Sequence, residues 1–149
     1  MLIRPISAVE SIETAGPLIR EHWEEIARNK QVMVLKPHMD AYRALEQQGA
    51  LISLGAFDDA GDMQGYSVSI ITRHLHYADL TYAHNDVIFV GQRHRSGPTG
   101  VRLMRETEKR AKDLGAQLML WHAKPDTALV NILPRMGYGV QDIVYSRQL

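Results

Sequence analysis

The sequence predicts an α/β domain built on a mixed β-sheet, an antiparallel meander followed by a parallel β-α-β crossover, with helices on both faces. Three observations predict it. The apolar period is helical before Ala50, strand-like from there to Val90, and helical again after Gly100. DDAGD, which is turn chemistry, separates two consecutive strand-type runs. Finally, a strand, a tight polar loop, a helix and another strand follow in that order, which implies a right-handed crossover between parallel strands.

The elements follow in chain order. Leu2 to Ile6 is a short apolar start, and Ser7 with Glu10 has the spacing of a capping box that opens a helix as far as Thr14. Gly16 and Pro17 interrupt it, after which Leu18, Ile19, Trp23, Ile26 and Ala27 recur at helical spacing. Asp40 suits the N-cap of AYRALEQQ, and Gly49 suits its end. ALISLGAF and GYSVSIIT form a hairpin, and LTYAHNDVIFV adds a third antiparallel strand ending at Val90. In the next helix Leu103, Met104, Thr107, Ala111 and Leu114 make one stripe. AQLMLWHA reads as a strand, DTALVNILPRM as a last helix that kinks or ends near Pro134, and YGVQDIVYSRQL as a final strand.

The 149 residues contain no linker, repeat or charge block, so residues 1–149 are expected to form one domain. Seventeen basic side chains balance seventeen acidic ones, which argues against a nucleic-acid partner. The absence of cysteine excludes disulfides, thiolate metal sites and a cysteine nucleophile. No apolar run is long enough for a signal peptide or a membrane span, so a soluble, cytoplasmic protein without a membrane partner is expected.

The loop QRHRSGPTG, between VIFV and the following helix, carries the clearest chemical signal. Backbone N–H groups at a helix start and the positive end of its dipole suit a pyrophosphate, and Arg93 and Arg95 add charge. The loop lacks the lysine and spacing of a P-loop and is not GxGxxG, which excludes NTPase and Rossmann chemistry. RSGPTG, with its strand before and VRLM after, resembles the acetyl-CoA signature of the GNAT superfamily of N-acetyltransferases, in which R or Q is followed by two residues, G, one residue, and G or A. The resemblance covers nearly the whole chain, including the MGYG turn; WHAK followed by RMGY resembles small phage-associated members.

The resemblance implies a GNAT-like fold, acetyl-CoA as co-substrate and no metal. It implies a cofactor site made of Ile88, Phe89 and Val90 on the strand, Arg95, Ser96, Gly97, Pro98, Thr99, Gly100 and Val101 in the signature, and Asp126 where the family often carries asparagine. Two positions depart from the pattern. Pro98 stands at the central glycine and donates no N–H, although its fixed φ suits a first helical turn. Leu133 stands where the family's tyrosine protonates the departing thiolate.

The acceptor is expected to be a primary amine, small-molecule or peptide. At pH 7 a lysine-like amine of pKa ~10.4 is neutral in only about one molecule in 10³, so a base matters. Strand alternation puts His84 and Asp86 on one face with Ile88 and Val90, making them the candidate catalytic bases. His22, Trp23 and His122 are the candidate acceptor-binding residues, His22 and Trp23 lying on the helix that borders the acceptor site in the family. Each of these also has a purely structural reading as a packed or hydrogen-bonded side chain. His74 and His76 share a strand face but lack a third ligand, so no metal is expected. Without a cysteine to carry an acyl group, direct attack in a ternary complex is expected. The alternatives are a catalytically idle acyl-CoA sensor and an interaction module on the same fold. A homodimer is expected from the resemblance and from the apolar residues of the final strand, which suit pairing at a sheet edge.

Overall fold

The computed structural model describes residues 1–149. The elements run β1 (Leu2–Pro5), α1 (Ala8–Ala15), α2 (Pro17–Ile26), α3 (Met39–Gln47), β2 (Leu51–Phe57), β3 (Met63–Arg73), β4 (Thr81–Val90), a short 3-10 turn (Gln92–His94), α4 (Thr99–Asp113), β5 (Leu118–Leu120) and α5 (Ala128–Arg135). The five strands form one sheet in sequence order. Pairing is antiparallel from β1 to β4 and parallel between β4 and β5; the meander of β2 to β4 and the parallel crossover agree with the sequence reading, and the apolar start adds β1 antiparallel to β2.

Local chemistry explains the helix starts. Ser7 Oγ accepts from the Glu10 N–H at 3.0 Å, opening α1. Gly16, at φ +43, turns the chain so that Pro17 begins α2. The cap of α3 differs from expectation: His38, not Asp40, caps it, its Nδ1 accepting from the Ala41 N–H at 3.3 Å. The helix starts at Met39, so Asp40 falls in the first turn and pairs with Arg43 at 3.0 Å.

The sheet buries a different cluster on each face. On one, Ile52, Leu54, Ala56 and Ala83 pack with Leu103 and Ala111 of α4. Ser67 and Ser69 are fully buried, and the Ser67 and Thr107 hydroxyls lie 3.2 Å apart. On the other face, Tyr66 and Phe89 pack with Ala15 of α1 and with Leu18 and Ile19 of α2. Strands β3 and β4 approach closely at Gly65, where an added Cβ would stand 2.7 Å from the Phe89 carbonyl oxygen.

Three further sequence expectations differ from the structure. The ladder between β3 and β4 shifts between Val68 and Ser69, which pair with Val87 and Asn85 and leave Asp86 as the extra residue of a β-bulge. The bulge inverts the alternation. His84 is the partner of Ile70, on the face of Val87 and Phe89, whereas Ile88 and Val90 pack towards α4. Residues 139–149 form no strand, because they lie against no sheet edge and every one is exposed. The expected strand AQLMLWHA is also shortened to Leu118–Leu120, and α5 ends at Arg135, directly after Pro134. No helix is long and apolar enough to cross a membrane.

Candidate active site

Strands β4 and β5 pair only from Tyr82 to His84 against Leu118 to Leu120, and then part. The side chain of Asn85 holds the fork. Its Oδ1 accepts from the His122 N–H at 2.6 Å and its Nδ2 donates to the His122 carbonyl at 3.2 Å, so one amide replaces a step of strand pairing. Beyond it, β4 runs to Val90 with no strand on that side.

At the end of β4 the chain passes through Gln92–His94 and RSGPTG into α4. Pro98 occupies the N-cap and its carbonyl accepts from the Arg102 N–H at 2.9 Å; no side chain caps this helix. The N–H groups of the first turn therefore point outward without an intrahelical partner. An added Cβ at Gly97 meets nothing within 4 Å, and at Gly100 only Val90 Cγ2 at 3.8 Å, so the loop surface is open to close approach. Thr99 is buried and its hydroxyl reaches the sulfur of Met1 at 3.0 Å.

Arg95 turns away from this opening. Its guanidinium donates twice to Glu25 of α2, at 3.0 and 2.7 Å, and its Nε donates to the Val90 carbonyl at 2.8 Å. It also lies 5.0 Å over the Phe89 ring. The Arg95 hydrogen bonds hold the Glu25 carboxyl below its usual range. The arginine thus braces the loop on α2, assisted by the Gln92 N–H, which donates to Glu21 at 2.8 Å. Arg93 makes no ion pair.

The bulge and the first three helices build the opposite wall. Tyr42 of α3 donates to Asp86 Oδ2 at 2.5 Å, leaving Oδ1 without a protein donor. His22 of α2 stacks on Phe89 at 4.6 Å, and its Nδ1 lies 2.7 Å from the Tyr66 hydroxyl. Burial lowers the His22 pKa to about 4, outweighing Glu25 and Asp86, so the ring is neutral at neutral pH. Burial also pushes the Tyr42 and Tyr66 phenols up, with the Asp86 hydrogen bond adding to it at Tyr42. Both phenols therefore remain protonated.

A second pair sits at the fork. His84 and His122 stack with ring centroids 5.6 Å apart, and His84 Nδ1 is buried without a hydrogen-bond partner. Burial, then the neighbouring His84, lowers the His122 pKa.

Other residues singled out in the sequence serve the framework. Trp23 Nε1 donates to the Met33 carbonyl at 2.5 Å and Lys30 lies 5.5 Å over its ring, fastening the α2–α3 loop. Asp126 pairs with Arg28, tying the approach to α5 to the chain just past α2. His74 Nδ1 accepts from the His76 and Tyr77 N–H groups at 3.1 and 3.2 Å, which secures the β3–β4 loop. Leu133 lies in α5. Tyr138 accepts from Trp121 at 3.0 Å and donates to Glu108 of α4 at 2.7 Å.

Tyr42, Tyr66, Asn85 and Glu25 were not among the residues picked from the sequence. Asn85 carries a usable signal, since a primary amide amid strand residues calls for partners on both its oxygen and nitrogen. The tyrosines carry none, because each acts through a contact 44 residues away.

The sequence matches no family model and no curated protein. Solved structures are similar throughout their length. A ribosomal-protein-alanine N-acetyltransferase from Brucella melitensis biovar Abortus 2308 superposes with a TM-score of 0.73 at 15% identity, covering 100% of both chains. An aminoglycoside acetyltransferase from an uncultured soil metagenomic sample gives 0.76 at 13% identity, over 99% of this chain and 97% of that one. Glucosamine-6-phosphate N-acetyltransferase from Arabidopsis thaliana gives 0.72 at 13% identity, over 99% and 97%. The chain therefore has the GNAT-like α/β fold of these enzymes.

Proposed function

We propose that this protein moves an acetyl group, or a related short acyl group, from acyl-CoA to a primary amine by direct attack in a ternary complex. The observation that carries the reading is the fork between β4 and β5, held open by Asn85 beside the uncapped start of α4. Free N–H groups, an unpaired strand edge and glycines open to close approach suit a long ligand with a diphosphate at one end. The start of α4 would hold the phosphates, and the edge from Val87 to Val90 would hold the arm. When bound, acetyl-CoA supplies a thioester carbonyl as the electrophile.

Asp86 is the leading residue for the amine. Its Oδ2 is fixed by Tyr42 and its Oδ1 is free, so the carboxylate attracts an ammonium ion and takes its proton directly or through water. His84, beside it at the fork, is the second candidate base. Neutral His22 with Tyr66 lines the same face and orients the acceptor. The departing thiol needs little help: with a pKa near the ~8.5 of cysteine it leaves as thiolate or takes a proton from water, although Leu133 offers none.

Leu133 also favours a second reading, an acyl-CoA binder without turnover. One experiment separates them. Acetyl-CoA at 100 times its dissociation constant stabilises a binding fold by ~2.7 kcal/mol, read as a rise in Tm, and Gly100→Asp abolishes that rise. Thiol release is then followed across a set of amines. No rise at millimolar ligand removes both readings, and a rise without release for any amine leaves the binder.

A further inference from the structure

We infer that a cavity beside the last turn of α4 binds a free basic amino acid, with Arg110 taking its α-carboxylate and Asp113, Glu10 and Glu46 taking its two cationic groups. The cavity measures about 540 Å³, within the range of small-molecule sites. It forms where β1 stops short of β2. Their ladder ends at Pro5 with Leu54, a last backbone bond runs from the Ile6 N–H to the Ser53 carbonyl at 3.2 Å, and the chain then turns into α1. The edge of β2 at Leu51 and Ile52 is thereby left open, with α1 and α3 on one side and the last turn of α4 on the other.

Much of the charge lining this cavity has no protein partner. Asp113 makes no ion pair. Glu46 uses only Oε1, which accepts from the Ala8 N–H at 2.6 Å, and Glu10 only approaches the half-exposed Arg4 at 3.8 Å. Arg110 uses only Nε, on Glu106 at 2.9 Å, so both terminal nitrogens of its guanidinium lack an acceptor. Ser53 is the independent sign of a ligand. It lines the cavity at 9% exposure, and its hydroxyl is buried without a hydrogen-bond partner. Leaving a buried hydroxyl unpaired is costly, and a ligand ammonium donating to it removes that cost.

The pattern of charge selects the ligand. No three carboxylates or histidines are placed to share one metal ion, so the complementary charge is spread over a longer molecule. Both α3 and α4 end at the cavity, and the negative ends of their dipoles add to three carboxylates in favouring cations. The one guanidinium requires an anion as well. On the last turn of α4, Arg110 and Asp113 stand three residues apart, matching the adjacent carboxylate and ammonium of an α-amino acid. The methylene stem then lies over Leu51 and Leu114, and the side-chain cation reaches Glu10, Glu46 and Ser53. An aliphatic diamine would leave Arg110 unanswered. The cavity shares no lining residue with the fork between β4 and β5, and the inference stands independently of the proposed activity.

The test is titration calorimetry on the full chain without acyl-CoA, using L-lysine, cadaverine, which lacks its carboxylate, and L-norleucine, which lacks its terminal amine. L-lysine is expected to bind at one saturable site, and each analogue about tenfold or more weaker. Asp113→Asn and Arg110→Gln are expected to weaken L-lysine by a similar factor with circular dichroism unchanged. Ser53→Ala is expected to weaken it too while keeping a Tm no lower than wild type, since its hydroxyl has no partner to lose. Asp86→Ala is expected to leave binding unchanged, which separates this cavity from an acceptor held at the fork. The inference is overturned if L-lysine shows no saturable binding at tens of millimolar, or if cadaverine or L-norleucine binds as well as L-lysine. It is equally overturned if Asp86→Ala abolishes binding while Asp113→Asn and Arg110→Gln retain it.

Discussion

Acidification should destabilise this protein through His22. The ring is neutral in the folded state, with its pKa lowered by burial from 6.5 to about 4, so protons favour the unfolded chain between those values. The stability in question is intact above pH 6.5, is lost as pH falls, and is fully gone below about pH 4. The whole interval corresponds to about 3.4 kcal/mol, and at pH 5 the loss relative to pH 7 is about 1.8 kcal/mol. His22→Gln removes the titrating group while retaining a polar side chain beside Tyr66. Urea denaturation of both proteins from pH 7 to pH 4.5 isolates the effect, because the other carboxylates and histidines are shared. The variant is less stable at pH 7 for want of the stacked ring on Phe89, yet its profile should be flatter. Wild-type and variant profiles that run parallel to within about 0.5 kcal/mol between pH 7 and pH 5 would refute the reasoning.

Asp86→Ala should lower turnover on a verified amine by ~10²-fold or more while acetyl-CoA affinity is nearly unchanged, measured by steady-state thiol release beside ligand-induced Tm. His84→Ala causing that loss while Asp86→Ala does not would move the base to the fork. Gly65→Ala should destabilise the fold by about 1–3 kcal/mol in urea, because its Cβ would meet the Phe89 carbonyl oxygen and Val90 Cα, backbone atoms that cannot turn aside, as well as Val90 Cγ2.

The order of elements was legible because each rests on local chemistry: Ser7 at its cap, Pro17 at a helix start and the period change near Ala50 all act over a few residues. The bulge was not legible. Alternation assumes one residue per ladder step, and nothing local to HNDV marks Asp86 as the extra one. Plain alternation therefore puts His84 on the wrong face, although His84 and Asp86 both lie beside the fork. Arg95 shows the same limit from another side: its motif position was recognised, but its partner Glu25 lies 70 residues earlier and can be found only in three dimensions. YGVQDIVYSRQL has strand composition, yet composition cannot say which edge, or whose, a strand will join.

An unpaired strand edge is ordinarily a hazard, since any passing strand can add to it and seed aggregation. The inner edge of β4 escapes this by its position. Ile88 and Val90 pack on the side of α4, while Val87 and Phe89 pack with Leu18 and Ile19 of α2, so the free edge lies between two layers of helix. The Arg95–Glu25 pair bars one end and the Asn85 amide the other. The helices and side-chain braces that keep a folded neighbour's sheet from adding to this edge would, on the proposed reading, be the same walls that guide an extended ligand along it.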